Sequence, residues 1–352
     1  MPTATIDDRG TEIYYIDSGP PPHMLIYTTI VITHGLIVNG AAYERTLPVA
    51  GRYGLRIIAM NNRDYRGSTP YTDEELADFV DLDIEVQAAA VRRWGRETAC
   101  FLRFVCETLG VPPARDGAGG VALMAEGVGN TSVFAMLGDA RTMGAELSAA
   151  LAPYLRKVLL FDSSSPTYGI YPDTSLTFPI ADEDLPIEST ADAFVTWSSA
   201  FYVPWPSVAS ITTKALPTHA KPLLVTPSLR RLPMEDVERM TDFSVTTRSA
   251  LVMTVAVEVM QRHARCAFMD ANAVLPDVEM VAMWCDSAVW VAVWGAKVVD
   301  GFMKEQSELG KRKRSIELVK IENSNHFPHL EEPEKLVHLL AKYSRPNTSY
   351  KT

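Results

Sequence analysis

The feature that most constrains the fold of this 352-residue chain is an alternation of short apolar segments with longer helical segments. The segment Thr28–Thr33 (TTIVIT) is typical of the first kind, because it is short and β-branched like a buried strand of a parallel sheet. Strands are predicted at residues 11–16, 28–33, 55–60, 119–124, 155–161, 278–285 and 316–321, and helices at 81–109, 131–137, 289–303 and 332–342. This alternation predicts an α/β fold in which helices cover a mostly parallel sheet.

A middle segment, about residues 162–276, interrupts the alternation. It contains Pro-rich turns, such as Val203-Pro204-Trp205-Pro206, and two helical stretches at about 187–201 and 233–264, without a series of parallel strands. We therefore predict one core built from residues 1–165 and 276–352. Residues 166–275 are predicted to form a helical lid over one end of the sheet.

Composition and charge exclude several classes of protein. Hydrophobic residues make up 47% and charged residues 22%, which is ordinary for a globular protein and not for a disordered chain, a coiled coil or a collagen-like repeat. The net charge is −10, and the one dense basic run, residues 311–314, is predicted to lie in a solvated loop. We therefore predict neither nucleic acid nor a membrane as a partner.

The cysteines and the N-terminus indicate the compartment. The four cysteines show no close C-x-x-C spacing and are predicted to be free, buried thiols in a reducing environment. The start of the chain, MPTATIDDRG, lacks the basic and apolar regions of a signal peptide, and no run of about 18 apolar residues occurs. The sequence thus predicts a cytoplasmic protein and leaves its oligomeric state open.

Polar motifs follow the predicted strands, where catalytic residues of open α/β sheets lie. In chain order they are Thr33-His34-Gly35-Leu36, Asp64-Tyr65-Arg66-Gly67-Ser68, Ala125-Glu126-Gly127-Val128-Gly129, and the pair Asp286 and His326. Together they resemble the motifs of the α/β-hydrolase superfamily, and the resemblance covers nearly the whole chain outside the middle segment. In that superfamily, a tight strand–turn–helix elbow carries the nucleophile between two small residues. Here Ala125 and Gly129 take the small positions, and Gly127 stands where the nucleophile is expected.

The resemblance implies an α/β-hydrolase fold with a helical lid and assigns roles to other residues. His326 would be the catalytic base and Asp286 the acid that supports it. The backbone N–H groups of Leu36 and Val128 would form the oxyanion hole. Asp162 also follows a strand and is a rival to Asp286, which is favoured here.

Two charged positions have other interpretations. Glu126 is a disfavoured candidate for the nucleophile, because centring the elbow on it would place Met124 and Val128 where small residues are needed. Asp64 and Arg66 are interpreted as an ion pair that stabilises a turn.

The function implied by the resemblance is hydrolysis of a small hydrophobic carbonyl compound (an ester, lactone or thioester) by a nucleophile–His–Asp mechanism, as in an esterase. Gly127 is either native or an inactivating substitution, and reduced activity is expected with it. One alternative is a nucleophile-free lyase, isomerase or oxygenase-type enzyme with His326 as the general base. Another is a binding protein without catalysis.

Aromatic residues of the middle segment provide the substrate hypothesis. Tyr168, Trp197 and Tyr202 are predicted to line an apolar substrate pocket, with packing inside the lid as the competing interpretation. The sequence contains no phosphate-binding loop, nucleotide fingerprint or Cys/His metal set, so no cofactor and no metal is predicted.

Overall fold

A computed structural model describes residues 2–115, 117–270, 274–308 and 314–345. These residues contain one eight-stranded sheet in the order β1-β2-β4-β3-β5-β6-β7-β8. The strands are β1 (Thr3–Thr5), β2 (Glu12–Asp17), β3 (Thr28–Thr33), β4 (Leu55–Met60), β5 (Val121–Glu126), β6 (Leu155–Phe161), β7 (Glu279–Cys285) and β8 (Ile316–Ile321). Strands β3 to β8 are parallel, and only the pairings of β1 with β2 and of β2 with β4 are antiparallel. The predicted mostly parallel sheet is confirmed.

Helices cover both faces of this sheet. They are α1 (Leu47–Ala50), α2 (Asp73–Ala77), α3 (Ile84–Thr108), α4 (Asn130–Gly138), α5 (Ala140–Leu151), α6 (Ser165–Tyr168), α7 (Ile187–Ser198), α8 (Leu216–His219), α9 (Met234–Met240), α10 (Val257–Met269), α11 (Trp290–Glu308), α12 (Pro328–Glu331) and α13 (Pro333–Tyr343). Successive side chains of a strand point to opposite faces. Accordingly, Ile30 and Ile32 lie in a buried cluster with residues of α13, whereas Val31 lies in a second cluster with residues of α10.

The insertion between β6 and β7 contains α6 to α10, and its last helix differs from the prediction. The predicted lid extended to residue 275, but α10 packs against α3 and α4 and contributes Ala264, Ala267 and Phe268 to a core cluster. We therefore assign α10 to the core. Most of its buried residues are apolar, and the helix therefore extends the layer of helices that covers that side of the sheet.

The rest of the insertion is held against loops that follow the strands. The interpretation of Asp64 and Arg66 as partners of each other is wrong. Asp64 pairs with Arg248 at 3.2 Å, and Arg66 lies 3.7 Å from Asp242. Both partners belong to the insertion, so these two charged residues after β4 attach it to the core.

The basic run near residue 314 is only partly described. Residues 311–313 lie outside the described residues, but Arg314 is buried, contrary to the predicted solvated loop. Its guanidinium donates hydrogen bonds to the carbonyl oxygens of Ala267, Val274, Leu275 and Val278, and burial lowers its pKa to about 10. The arginine thus supplies donors to backbone carbonyls at the end of α10 and in the segment that leads into β7.

The cysteines are free, as predicted, and Cys100, Cys106 and Cys285 are buried, whereas Cys266 is only partly buried, contrary to the prediction. In the part of the chain that the structure describes, no helix has both the length and the apolar character needed to cross a membrane.

Candidate active site

The elbow lies where the sequence motif predicts it, between β5 and α4. The fully buried strand β5 ends at Glu126, and a single 3-10 turn, Gly127–Gly129, leads into α4. Gly127 has a φ of +51°, which side-chain-bearing residues rarely adopt. A Cβ on Gly127 would lie 3.7 Å from His326 Nε2, the nearest heavy atom outside the two adjacent residues. A side chain at this position would therefore face the imidazole ring.

Gly129 is required by the tightness of the same turn. A Cβ at this position would approach the carbonyl oxygen of His34 to 2.6 Å, which is far inside van der Waals contact. We expect Gly129→Ala to lower the free energy of unfolding by about 1–3 kcal/mol, the usual range for overpacking. Gly301→Ala is the matched control, because a Cβ on this α11 residue meets no atom within 4 Å. Urea unfolding of both variants checks the prediction, and equal stability of the Gly129 variant and the wild type would contradict it.

Asp162 is the residue that holds His326. Its Oδ2 lies 2.8 Å from His326 Nδ1, and its Oδ1 accepts a hydrogen bond from the backbone N–H of Cys285 at 2.7 Å. Asp162 is fully buried and has a φ of +41°, a strained backbone for a residue other than glycine. The carboxylate is thus fixed by two contacts, and it can keep the hydrogen of the ring on Nδ1.

The prediction that Asp286 contacts His326 is wrong. Asp286 instead accepts hydrogen bonds from the Ser287 hydroxyl at 3.2 Å and from the backbone N–H of Ser324 at 3.4 Å. The reason is topological, because β6 lies between β5 and β7. Asp162, directly after β6, is one strand closer to the elbow than Asp286.

Glu126 is a second carboxylate beside the ring. It is buried, and its Oε2 accepts hydrogen bonds from the Tyr43 hydroxyl at 2.8 Å and from the Gly35 N–H at 3.3 Å. Its Oε1 lies 3.6 Å from His326 Nε2. The backbone of Glu126 is extended, with φ −100° and ψ 138°, so Glu126 is not the centre of the elbow.

The charges around His326 favour its protonated form. Burial alone would lower the pKa of His326, but the hydrogen bond to Asp162 and the charges of Asp162 and Glu126 outweigh it and raise this pKa above the ordinary value of 6.5. Burial also raises the pKa of Glu126, and the nearby His326, Tyr43 and Gly35 N–H offset this only in part.

The loop after β3 is held by buried polar contacts. His34 Nδ1 donates to the Gly35 carbonyl at 2.8 Å, since its Nε2 accepts from the Asn62 N–H at 3.0 Å. Burial lowers the pKa of His34 to about 4, so the ring is neutral at pH 7. The Tyr65 hydroxyl accepts from the Ile37 N–H at 2.9 Å, which fixes the loop from the other side.

Leu36 and Val128 face the same cavity. Among the hydrogen bonds of loops, turns and caps in the described residues, none is made by the backbone N–H of Leu36. This N–H group could therefore bind an oxygen atom of a ligand. The role of both residues as oxyanion donors stays a prediction.

A cavity that opens to solvent lies beside His326 and Gly127, with about 610 Å³ of free space including its mouth. Its walls are mainly apolar and aromatic, with contributions from the insertion and from α11. Its apolar lining includes Phe178, Phe194, Trp197, Met253, Val289, Val291 and Phe327. Its ionisable lining residues are Glu126, Asp162 and His326, and the hydroxyl-bearing Ser164 and Ser198 also line it. Within the described residues, no group of three or more His, Cys, Asp or Glu side chains could hold a metal ion.

Of the three aromatic residues predicted to contact substrate, only Trp197 lines this cavity. Tyr168 is fully buried in the core beside Phe134, Phe268 and Phe302, so its predicted role is wrong. Tyr202 is also buried away from the cavity, and its hydroxyl donates to the Trp197 carbonyl at 2.9 Å. It supports the backbone of Trp197 instead.

The partners of Glu126 were not predicted from the sequence. The sequence assigns no role to Tyr43 and gives Glu126 only that of a disfavoured nucleophile candidate. A usable signal existed, because a carboxylate at the end of an entirely apolar strand needs buried donors or a positive charge.

Comparisons with known proteins agree with this architecture. No protein-family model and no curated protein sequence matches the chain. Among solved structures, the esterase EaEST from Exiguobacterium antarcticum is 16% identical, with 98% of this chain and 99% of that chain covered and a TM-score of 0.52. A thermophilic esterase from Thermogutta terrifontis is 13% identical, with 97% and 98% covered and a TM-score of 0.51. Cfl2 from Burkholderia cenocepacia is 16% identical, with 97% and 95% covered and a TM-score of 0.52. Together with the sheet order and the elbow, these similarities show that the chain has the α/β-hydrolase fold.

Proposed function

We propose that this protein hydrolyses a small hydrophobic carbonyl compound with a water molecule that His326 activates, without a covalent intermediate. One observation carries the proposal. His326 Nε2 faces the place that a side chain at position 127 would occupy, since a Cβ there would lie 3.7 Å away. The other ring nitrogen, Nδ1, is held by Asp162 at 2.8 Å. This is the arrangement of a general base directed at a position without a protein nucleophile.

The proposed reaction has two steps. The water oxygen attacks the carbonyl carbon, its proton moves to His326 Nε2, and the carbonyl electron pair moves onto oxygen near the N–H groups of Leu36 and Val128. The tetrahedral intermediate then expels the alcohol or thiol, which takes the proton back from Nε2. Asp162 keeps the ring oriented and stabilises the imidazolium between the two steps.

The cavity supports the substrate class. Phe178, Phe194 and Trp197 give the cavity an apolar wall from the insertion, and its only ionisable lining residues among those described are Glu126, Asp162 and His326. Such a pocket suits an acyl group of small to medium size joined to one polar carbonyl. An ester, lactone or thioester fits this description, and two of the structural neighbours named above are esterases. A cytoplasmic location remains part of this proposal.

The test is a panel of p-nitrophenyl esters from acetate to decanoate, with lactones and acyl thioesters in parallel. We expect turnover that is highest for acyl chains of intermediate length, with no initial burst and no acylated protein in intact-mass spectra. An acyl adduct on the protein would contradict the direct attack by water. Failure to turn over any compound would contradict the hydrolase proposal, and ligand binding alone would then favour a binding protein.

A second candidate is proton transfer on a carbonyl compound, as in an isomerase or lyase. The observation that favours it is the separation of only 3.6 Å between Glu126 Oε1 and His326 Nε2, because two such groups could move a proton between neighbouring substrate atoms. Exchange of α-hydrogens of ketones in D₂O, followed by NMR, separates this candidate from hydrolysis.

A further inference from the structure

We propose that Glu126 is a second catalytic residue, whose carboxylate holds the attacking water together with His326. This inference rests on the hydrolysis proposed above and names the group that would take part beside the imidazole. It differs from the nucleophile role considered from the sequence, since Glu126 would form no covalent bond.

The separation of Glu126 and His326 suits one bound water molecule. Glu126 Oε1 and His326 Nε2 are 3.6 Å apart, and both atoms belong to residues that line the cavity. A water molecule has two hydrogens and can donate one to each of two acceptors at this separation. The other carboxylate oxygen is occupied by the Tyr43 hydroxyl and the Gly35 N–H. These two contacts fix the orientation of the carboxylate, so Oε1 is directed at the imidazole.

A buried carboxylate at position 126 needs a partner that favours its negative charge. Burying a carboxylate is unfavourable, and a neutral glutamine would satisfy the Tyr43 hydroxyl and the Gly35 N–H equally well. Within the described residues, the only ion pair found for Glu126 is the one with His326. The choice of a carboxylate over an amide at position 126 is therefore explained by His326, which becomes positive when it takes a proton from water.

The proton balance is simple. The water oxygen forms the new bond to the carbonyl carbon, and one hydrogen moves to His326 Nε2. The other hydrogen stays on the same oxygen and is held by Glu126 Oε1, so it ends in the acid product. The imidazolium, flanked by Asp162 and Glu126, then gives its proton to the leaving group. Glu126 is unchanged at the end of the cycle.

Several ionisable groups surround His326 and Glu126. His326 is faced by Asp162 after β6, by Glu126 at the end of β5 and by His329 of α12, and Glu126 is also faced by Tyr43. Because the charge of Glu126 helps to raise the pKa of His326, removing this charge should lower that pKa. Catalysis that needs neutral His326 would then extend to lower pH in the variant.

Glu126→Gln is the variant that tests the proposal, because it keeps the shape and an acceptor for Tyr43 and Gly35. We expect kcat for the best ester to fall about 10²-fold, as for a misplaced reacting group, with KM within about twofold. The midpoint of the pH–rate profile should move to lower pH, and the melting temperature should be retained.

Glu97→Gln is the matched control. Glu97 is also buried and accepts a hydrogen bond from the Tyr71 hydroxyl at 2.8 Å. Unlike Glu126, it forms an ion pair with Arg63 and does not line the cavity. This variant should lose stability and keep kcat and the pH profile.

The outcomes separate this inference from the proposed function. If the wild type hydrolyses esters and Glu126→Gln keeps the same kcat and pH profile, the role of Glu126 is overturned. If the wild type hydrolyses nothing, the proposed function fails. An NMR titration of the His326 ring then shows whether Glu126→Gln lowers its pKa, and an unchanged pKa would also overturn the pairing.

Discussion

Gly127→Ser is expected to raise kcat for ester hydrolysis by at least about 10²-fold, since loss of the nucleophile from a serine hydrolase removes several orders of magnitude. The Cβ of the new residue would lie 3.7 Å from His326 Nε2, so one rotamer brings its Oγ within hydrogen-bond reach. His326 could then take the hydroxyl proton, and the serine could form an acyl-enzyme. The variant should therefore become sensitive to fluorophosphonates, which should not label the wild type.

The same variant is expected to be less stable. Gly127 has a φ of +51°, and a left-handed conformation costs a residue with a side chain about 1–2 kcal/mol. No steric clash adds to this, because the nearest atom to the added Cβ is 3.7 Å away. The gain in activity would thus come with a modest loss in the free energy of unfolding.

Gly127→Ala is the control, because it has the same backbone strain and no hydroxyl. It should lose as much stability as the serine variant and gain neither turnover nor fluorophosphonate labelling. Thermal unfolding, ester turnover and intact-mass analysis of the two variants give the result. A folded serine variant that stays inactive and unlabelled would show that His326 does not activate a group at this position.

The fold was predictable because local signals agreed with the tertiary structure. Runs such as Thr28–Thr33 and Leu55–Met60 are buried along their whole length. Their short length and apolar composition favour a buried strand, and no helical spacing of apolar residues points to a different structure. The elbow was predictable for a similar reason. Gly129 must be small because of the carbonyl of His34, and that restriction is visible in the spacing of small residues around Gly127.

The choice between Asp162 and Asp286 could not be made from the sequence, since both residues directly follow parallel strands. The decision depends on which strand end faces the loop of His326 and on the left-handed backbone of Asp162. Neither feature can be predicted from the local sequence. The carboxylate of Asp286 accepts hydrogen bonds from Ser287 and Ser324. The local sequence agrees equally well with this structural role and with a contact to the histidine.

The different roles of the aromatic residues could not be predicted from the sequence either. Tyr168 and Trp197 both lie in the insertion, but α6 places Tyr168 under α10 and α11, whereas α7 places Trp197 on the cavity. The difference arises from long-range packing. The assignment of α10 to the core has the same cause, because an amphipathic helix has the same pattern whether it covers a sheet or a lid.

Asp162→Asn is expected to reduce kcat about 10²–10⁴-fold, the range for loss of general base catalysis, and nearly as much as His326→Ala. The oxygen of the new amide would accept from the Cys285 N–H, as Asp162 Oδ1 does at 2.7 Å. Its NH₂ group would then face His326 Nδ1, which lies 2.8 Å from Oδ2 in the wild type. An N–H donor at this place favours the tautomer with hydrogen on Nε2, which cannot take a proton from water.

The pH dependence supplies a second measurement of the same change. In the wild type, kcat/KM should rise with pH as His326 becomes neutral, with a midpoint above 6.5 because Asp162 and Glu126 raise its pKa. Asp162→Asn removes the stronger of these contributions, so the pKa of the ring should fall and the remaining activity should extend to lower pH. His326→Ala should show no such titration.

Asp286→Asn is the matched control for the acid assignment. An asparagine oxygen can accept from the Ser287 hydroxyl and the Ser324 N–H as the carboxylate does, so kcat should change by less than about threefold. Steady-state kinetics and NMR titration of the ring are measured on both variants under the same conditions. A large loss in Asp286→Asn with full activity in Asp162→Asn would instead restore Asp286 as the acid. Such a result would mean that the dyad rearranges when substrate binds, because the unliganded geometry places Asp162 against the ring and Asp286 against Ser287 and Ser324.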